Sequence, residues 1–297
     1  MRVLSDAQVR VSPPATAVAA AREALERFAD GTLQAPPRLT GDLGPMQYVF
    51  TVGRLAGGVS GFRAYRSGDQ PGEQLVAVWD QDGTLAGLVV GDQLGAQRTG
   101  ALGAVAADVL ARQDAQAVAV VGSGRQAWAQ LWALTAVRSP RRVRVYSRDP
   151  RRREAFAARA RDELGLPATA VATAGEAVSD ADIILVATVS ARPVIAAADV
   201  RPGAHVTTVG PKSASGHELP AELAAAAAVV TCDSPAQARS YPEPFFTDTR
   251  ALVSLGDVLT GRAPGRQGPD DITLHCSVGL AGSEVILAQR LLAGHPA

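Results

Sequence analysis

The sequence predicts an α/β protein with a doubly wound parallel sheet and a second, α+β domain. Residues 117–127, AVAVVGSGRQA, form an apolar strand pattern that runs into Gly122-Ser123-Gly124 and then into a helix-forming segment. After this stretch, strand and helix patterns alternate, which is typical of parallel sheets. Before it, residues 46–90 contain short runs of antiparallel type.

The N-terminal part is predicted to hold a helix and an antiparallel meander. Residues 17–30 end before Gly31 in a helix-terminating pattern. The runs MQYVFTV, GFRAY, LVAVWD and TLAGLVV follow, and Asp82-Gly83 between the last two is a hairpin signal. A helix within residues 91–112 comes next, with Arg98 and Thr99 expected where the loop turns into it. Because the helix dipole disfavours an arginine there, we expect Arg98 to face an anion or another residue.

The glycine motif in residues 117–127 predicts a site for a dinucleotide pyrophosphate. Gly122 permits the tight turn, Gly124 lets the backbone approach the phosphates, and Ala127 allows helix and strand to pack closely. We therefore expect a Rossmann-type domain over residues 114–269. A second domain is expected over residues 1–113, completed by residues 270–297, whose strand-like run and helix should pack back on it.

The end of the second Rossmann strand favours NADPH over NADH. NAD-binding folds usually place Asp or Glu at this point, whereas this strand ends at Ser147 and is followed by Arg148 and Arg152. A hydroxyl and guanidinium groups suit a phosphate. The alternative is that Asp149 binds the ribose and the arginines form a solvated helix turn.

Composition excludes several classes of function. Lys+Arg and Asp+Glu are balanced at 29 each, which predicts no nucleic-acid partner. No apolar run reaches the roughly 18 residues of a membrane span and no signal-peptide pattern is present, so we expect a cytoplasmic protein without a membrane partner. Two cysteines are too few for a disulfide framework. The four histidines lack metal-ligand spacing, and Ala221 stands where His217-Glu218 would need a second histidine, so no metal is expected.

Lys212 is the only lysine among the 29 basic residues. Lysine can shift its pKa and transfer a proton, whereas arginine stays charged. A lysine in such an arginine-biased chain is therefore a candidate for proton chemistry, although it could also be a chance surface residue.

Taken together, these residues resemble the ornithine cyclodeaminase and μ-crystallin family over nearly the full chain. The matching pieces are APPR around Arg38, LGPM ending at Met46, LGAQRTGALGAVAADVLAR, VVGSGRQA, VYSRDP, the spacing from Val209 through Glu218-Leu219, and SVGLA from Ser277 to Ala281. The resemblance implies a substrate-binding α+β domain that dimerises and a Rossmann domain that binds a nicotinamide cofactor. It also implies hydride exchange with the α-carbon of an amino or imino acid.

The same resemblance assigns residues to the two sites. Arg38 and Arg98 are expected to bind the substrate carboxylate, with Met46 and Arg63 in the same site. The positions expected around the cofactor are Thr99, Gly122, Ser123, Gly124, Arg125, Gln126, Ala127, Ser147, Arg148, Arg152, Thr188, Val189, Val209, Ser277, Val278 and Gly279.

Two positions depart from the family pattern. The lysine that the family usually has in the second β-run is Arg63 here, and the family's acid–base aspartate is Lys212. A lysine at about 4 Å would repel a substrate ammonium by about 4 kcal/mol at a dielectric near 20, which disfavours ornithine and lysine as substrates.

We therefore predict an NADPH-dependent oxidoreductase that reduces an imine (ketimine) or keto group next to a carboxylate, with Lys212 and Arg63 as catalytic residues. The expected partners are a small carboxylate-bearing substrate and a second copy of the chain, in a homodimer. Two alternatives remain open. One is an amino-acid cyclodeaminase that releases ammonia with recycled NAD, and the other is a non-catalytic protein that binds NADPH and a small acid.

Overall fold

The computed structural model describes residues 1–68, 72–247 and 252–294, and the chain forms two compact units. Unit 1 comprises Met1–Arg98 and Gly279–Ala297, and unit 2 comprises Thr99–Val278. His295, one of the four histidines considered for a metal site, lies outside the described residues. None of the helices in the described ranges is long and apolar enough to cross a membrane.

The strands are β1 (Arg2–Leu4), β2 (Leu33–Gln34), β3 (Leu39–Asp42), β4 (Met46–Leu55), β5 (Ser60–Gly68), β6 (Leu75–Trp79), β7 (Leu85–Val90), β8 (Ala117–Val121), β9 (Arg142–Tyr146), β10 (Ala168–Ala170), β11 (Ile183–Val186), β12 (His205–Thr208), β13 (Val229–Cys232), β14 (Val253–Ser254) and β15 (Thr273–Cys276). The α-helices are α1 (Asp6–Arg10), α2 (Pro14–Ala29), α3 (Gln93–Leu110), α4 (Arg125–Leu134), α5 (Pro150–Leu164), α6 (Ala174–Val178), α7 (Ala221–Ala226), α8 (Pro235–Arg239), α9 (Leu255–Leu259) and α10 (Ser283–Gly294).

Unit 1 is built on a mixed sheet in the order β1-β7-β6-β5-β4-β2, with β3 also paired to β4. Strands β4 to β7 form the predicted antiparallel meander, and the predicted hairpin between β6 and β7 contains Gly83 at φ 84°. Helix α10 packs on this sheet. Gly282, the residue before the helix, lies so close to β4 that a Cβ added to Gly53 would be 2.2 Å from Gly282 Cα. The start of α10 is thereby fixed against β4.

Unit 2 is built on a parallel sheet in the order β10-β9-β8-β11-β12-β15-β13-β14. Its first five strands follow the order of a Rossmann sheet, with the sequence reversal beside β8. Alternate residues of the central strands pack into two cores, one around Val120 and Leu185 and the other around Val121 and Ile184. Both faces of the sheet are therefore covered, as a parallel sheet requires. The predicted α/β class with a doubly wound sheet is confirmed.

The unit boundaries lie at 98/99 and 278/279 rather than at the expected 113/114 and 269/270. Most of α3 belongs to unit 2 because it packs on α4: a Cβ on Gly100 would come within 2.1 Å of Ala129 O. The strand-like run after residue 270 does not return to unit 1, since β15 pairs with β12 and β13. Of this C-terminal segment, only the part from Gly279 onward joins unit 1.

Arg98 and Thr99 lie inside α3, whereas we expected them where the loop turns into the helix. Helix α3 begins at Gln93, so Arg98 lies in its second turn and the helix-dipole argument does not apply. Arg98 is instead buried beside a carboxylate of unit 1, that of Glu284.

Candidate active site

The turn after β8 has the geometry that the glycine motif predicts. Gly122 has φ 123°, and an added Cβ would lie 2.3 Å from Ala187 O and 3.7 Å from the Ala127 side chain. Only glycine fits this close approach. Gly124 is the N-cap of α4, and a Cβ added there would meet no atom within 4 Å. The backbone at the start of α4 is thus open to a ligand, as a phosphate site requires.

A cavity of about 750 Å³ lies along this turn at the carboxyl ends of β8, β9, β11 and β12. This is the edge of a doubly wound sheet at which ligands bind. The predicted cofactor residues that line it are Gly122, Ser123, Gly124, Arg125, Gln126, Ser147, Arg148, Arg152, Thr188, Val189 and Val209.

The other predicted cofactor residues do not line this cavity. Ala127 is fully buried where α4 packs on β8, which is the packing role the motif gives it. The carbonyl of Thr99 accepts a hydrogen bond from Gln130 Nε2 at 3.0 Å. Ser277 Oγ and Val278 N both donate to the buried carboxylate of Asp233, at 3.2 and 2.7 Å. Gly279 belongs to unit 1, where an added Cβ would lie 2.8 Å from Arg98 Nη1.

The rim of the cavity beyond β9 carries the residues considered for cofactor preference. Asp149 is the N-cap of α5, and its carboxylate accepts the N–H groups of Arg151 and Arg152 at 2.9 and 3.3 Å. Arg148 and Arg152 are exposed, and their guanidinium groups have no hydrogen bond or ion pair within the described ranges. The rim therefore presents two available cations and a carboxylate already used as a helix cap.

Lys212 is buried in unit 2, with 8% of its surface exposed. Its ammonium donates to the carbonyl of Gly210, a residue that also lines the larger cavity. Lys212 itself lines an adjoining cavity of about 260 Å³ together with Tyr241, Glu243 and Phe245. The Lys212 side chain is therefore buried next to the larger cavity and does not extend into solvent.

The surroundings of the two cysteines disfavour a reactive thiolate. Burial raises the pKa of the Cys276 thiol to about 12, and the charge of Lys212 acts in the opposite direction without cancelling it. Burial also raises the pKa of Cys232. Both remain free, protonated thiols in the core, as expected from their number.

The predicted substrate residues of unit 1 include a buried cluster of arginines. Arg63, on β5, is 8% exposed, and its Nε and Nη2 donate to Gln74 Oε1 at 2.8 and 2.5 Å. Its guanidinium also lies 4.2 Å from the centre of the Tyr65 ring. Burial lowers the pKa of Arg63, and the positive charges of Arg98 and Arg38 lower it further. The charges of buried Arg98 and half-buried Arg38 therefore both act on the buried guanidinium of Arg63.

Glu284 is the carboxylate within this cluster, and the sequence analysis missed it. It is fully buried on α10, 3.8 Å from Arg98 Nε, and it accepts a hydrogen bond from Thr51 of β4. Burial alone would raise the pKa of Glu284, but the charges of Arg98 and Arg63 outweigh it and hold the pKa below its usual value. The only acidic residue of a largely apolar final helix was the available signal.

Met46 is the remaining predicted substrate residue. It is the half-buried first residue of β4, and its carbonyl accepts the N–H of Leu43 at 3.0 Å. The structure thus gives its backbone a role in the β3–β4 turn. It gives no specific contact for its side chain.

The doubly wound sheet and its glycine-lined cavity define a dinucleotide-binding protein of the kind found among NAD(P)-dependent oxidoreductases. The profile of the ornithine cyclodeaminase/mu-crystallin family matches residues 59–292. The chain belongs to this family.

Similar proteins include reductases of imino acids. A Δ(1)-pyrroline-2-carboxylate reductase of Bacillus cereus is 34% identical over 219 residues, covering 71% of this chain and 67% of that protein. The ketimine reductase mu-crystallin of Mus musculus is 26% identical over 208 residues, covering 70% of this chain and 64% of that protein. The structure of the iminosuccinate reductase of Paracoccus denitrificans in complex with NAD⁺ has a TM-score of 0.88 and 25% identity, covering 99% of this chain and 97% of that one.

Proposed function

We propose that this protein is an NADPH-dependent oxidoreductase that reduces a C=N or C=O bond next to a carboxylate. The observation that carries the proposal is the arginine cluster of unit 1, in which buried Arg63 and Arg98 are opposed by Glu284 and the charge of half-buried Arg38 acts on Arg63. Such a cluster is suited to an anionic ligand, and a planar guanidinium binds a carboxylate through two parallel hydrogen bonds. The names of the similar reductases describe substrates of the same kind, an imine carrying a carboxylate.

Within this proposal the two units supply different functions. A bound nicotinamide supplies or accepts the hydride. Arg38 and Arg98 hold the substrate carboxylate and so fix which face of the double bond is presented. Lys212 donates the proton to the nitrogen or oxygen of that bond, or polarises it. A lysine in this role disfavours a diamino acid substrate, because two like charges about 4 Å apart cost about 4 kcal/mol at a dielectric near 20.

The preference for NADPH is proposed from the rim of the cofactor cavity. The Paracoccus protein contains NAD⁺, which supports a nicotinamide cofactor as a class. In this chain the carboxylate of Asp149 caps α5, which leaves Ser147, Arg148 and Arg152 for a 2′-phosphate.

Replacing both Arg148 and Arg152 by alanine is expected to raise KM for NADPH about tenfold or more, since each charged hydrogen bond contributes about 1.5–3 kcal/mol. KM for NADH should change less than about twofold, because NADH lacks the phosphate. Initial rates against each cofactor measure both values. Arg151→Ala is the matched control, since Arg151 is exposed on the same helix turn and does not line the cavity. An equal loss with both cofactors would contradict the assignment.

The partner proposed for unit 1 is a second copy of this chain. Strands β3 and β4 and the turn between them expose four large apolar side chains. Leu39 and Phe50 are cross-strand partners, Tyr48 stacks on Phe50 at 6.4 Å, and Leu43 lies in the turn. Their exposed fractions are 62% for Leu39, 57% for Leu43, 38% for Tyr48 and 37% for Phe50. A contiguous exposed apolar patch on a soluble unit favours a protein–protein interface.

Light scattering on the purified protein should give about twice the chain mass of 30.6 kDa. Phe50→Glu should shift the mass toward a single chain, because it places a charge in the apolar patch. Val11→Glu is the control, since Val11 is 78% exposed on a different part of unit 1. A mass of one chain for the unmodified protein would reject the dimer.

The reductase activity itself is tested by following NADPH absorbance with a panel of cyclic imino acids, 2-oxo acids with and without amines, and α-amino acids in reverse. Consumption with an imino or 2-oxo acid is expected. Ammonia released from a diamino acid without net NADPH consumption would instead indicate a cyclodeaminase. Binding of NADPH without turnover on any of these acids would indicate a protein that only binds cofactor and acid.

A further inference from the structure

Glu218 is a fully buried carboxylate that joins the ends of two strands in unit 2. Its Oε2 accepts hydrogen bonds from the backbone N–H and the hydroxyl of Thr188, both at 2.7 Å. Its Oε1 accepts from Thr208 Oγ1 at 2.6 Å, Val209 N at 3.1 Å and Gly210 N at 2.5 Å. Thr188 lies just beyond β11, while the other three donors belong to the end of β12. One side chain therefore satisfies five donors.

Glycine at position 210 is part of this arrangement. A Cβ added to Gly210 would lie 2.5 Å from the Glu218 carboxylate and 2.3 Å from Thr188 O. The carbonyl of the same residue accepts the ammonium of Lys212. The backbone at Gly210 is thus held on one side by a carboxylate and on the other by an ammonium, which fixes its orientation.

The network supports one half of the cofactor cavity without being part of its surface. Thr188, Val209 and Gly210 line the cavity, but Glu218 and Thr208 do not. Thr188, Val209 and Gly210 follow β11 and β12, which lie on one side of β8 in the sheet. Ser147 follows β9, which lies on the other side. In a doubly wound sheet the two halves of a dinucleotide lie on either side of the central turn, with the adenosine ribose at the second strand.

We infer that Glu218 is a positioning residue for the nicotinamide half of the cofactor, acting through the backbone of Thr188, Val209 and Gly210. The inference rests on the proposed function, because it takes the ligand of the cavity to be a nicotinamide dinucleotide. The physical reason is that five donors directed at one carboxylate fix the cavity wall before the ligand binds, so that no reorganisation is needed on binding. A carboxamide cannot replace this group, since its NH₂ would face donors.

The test compares the whole cofactor with a fragment that lacks the nicotinamide. Calorimetry measures Kd for NADPH and for adenosine 2′,5′-bisphosphate in the unmodified protein, in Glu218→Gln and in Thr208→Val. If the protein prefers NADH, then NADH and ADP replace these two ligands. Glu218→Gln should raise Kd for the dinucleotide about tenfold or more and Kd for the fragment less than about twofold. Thr208→Val removes one of the five hydrogen-bond donors to Glu218 and should raise Kd for the dinucleotide about threefold. Glu222→Gln, an exposed residue on α7, is the control and should change neither.

Equal weakening of dinucleotide and fragment in Glu218→Gln, or no weakening of either, would overturn the inference. If Glu218→Gln does not fold, as judged by circular dichroism and Tm, the isosteric Thr208→Val decides: a selective loss of dinucleotide affinity supports the inference, and unchanged affinity overturns it. Failure of the unmodified protein to bind NADPH, NADH or either fragment is a different result. It would reject the proposed function on which the inference rests.

Discussion

Lys212→Met is expected to lower kcat about 100-fold or more, because a positioned general acid contributes about 10²–10⁴-fold. Kd for the cofactor should rise by no more than about threefold, because the variant loses one hydrogen bond to Gly210 while Glu218 still holds that residue. Methionine keeps much of the length of the buried side chain and removes its proton and charge. Lys212 is enclosed beside the cofactor cavity, where it contacts Gly210. Single-turnover oxidation of NADPH measures the chemical step, and calorimetry measures the affinity for NADPH. An unchanged kcat would remove Lys212 from the mechanism.

Lys212→Arg separates the two roles that lysine could have. Arginine keeps the positive charge but cannot donate its proton at neutral pH. If Lys212 is the proton donor, this variant should be nearly as slow as the methionine variant. If Lys212 only polarises the bond, much of the activity should return. Tm for each variant shows whether the larger guanidinium has disturbed the buried site.

Arg98→Met is expected to lower kcat/KM for the imino or keto acid about 30-fold or more, since truncating one partner of a buried charge pair costs about 2–5 kcal/mol. Most of the loss should be in KM, because the carboxylate is held in the ground state as well as in the transition state. Arg98 is 7% exposed and lies 3.8 Å from Glu284. Steady-state rates over a wide range of substrate concentration measure both parameters.

The Arg98 variant also leaves Glu284 with less positive charge around it, so a control for stability is needed. Arg98→Met/Glu284→Gln removes both charges and should regain part of the lost Tm, because the Glu284 carboxylate is then no longer buried without Arg98. The recovery should be incomplete, since Glu284 also acts on the buried Arg63. It should not regain activity. Arg54→Met, an exposed arginine on β4, should change neither property. A normal KM in Arg98→Met would place the substrate carboxylate elsewhere.

The parts of the fold that depend on local pattern were predictable from the sequence. A buried strand, Gly122 and a helix are adjacent in the chain, so the phosphate turn follows from local chemistry. The meander and the hairpin at Gly83 have the same local origin. The place of β15 between β12 and β13 could not be predicted, because it depends on pairing between segments far apart in sequence.

The candidate site was predictable where its residues belong to a local sequence motif. It was not predictable where one side chain contacts partners that are far away in the sequence. Most of the predicted cofactor residues that follow strand ends line the cavity, since strand ends in a parallel sheet meet at one edge. Glu284 was not singled out, and Glu218 was noted only within a family spacing, because the contacts of both come from donors on other elements. Arg98 was placed at the wrong point of α3, because glycine within residues 91–95 did not delay the helix, which begins at Gln93.

In the proposed reaction, hydride passes between a nicotinamide and a carbon next to a carboxylate. The most direct measurement is isotope transfer from NADPH deuterated separately on each face of C4, with Δ(1)-pyrroline-2-carboxylate as the acceptor and mass spectrometry of the proline formed. We expect one deuterium at the α-carbon of proline from only one of the two labelled cofactors. Proline without deuterium from either cofactor, or no proline with NADPH left intact across the whole substrate panel, would contradict it.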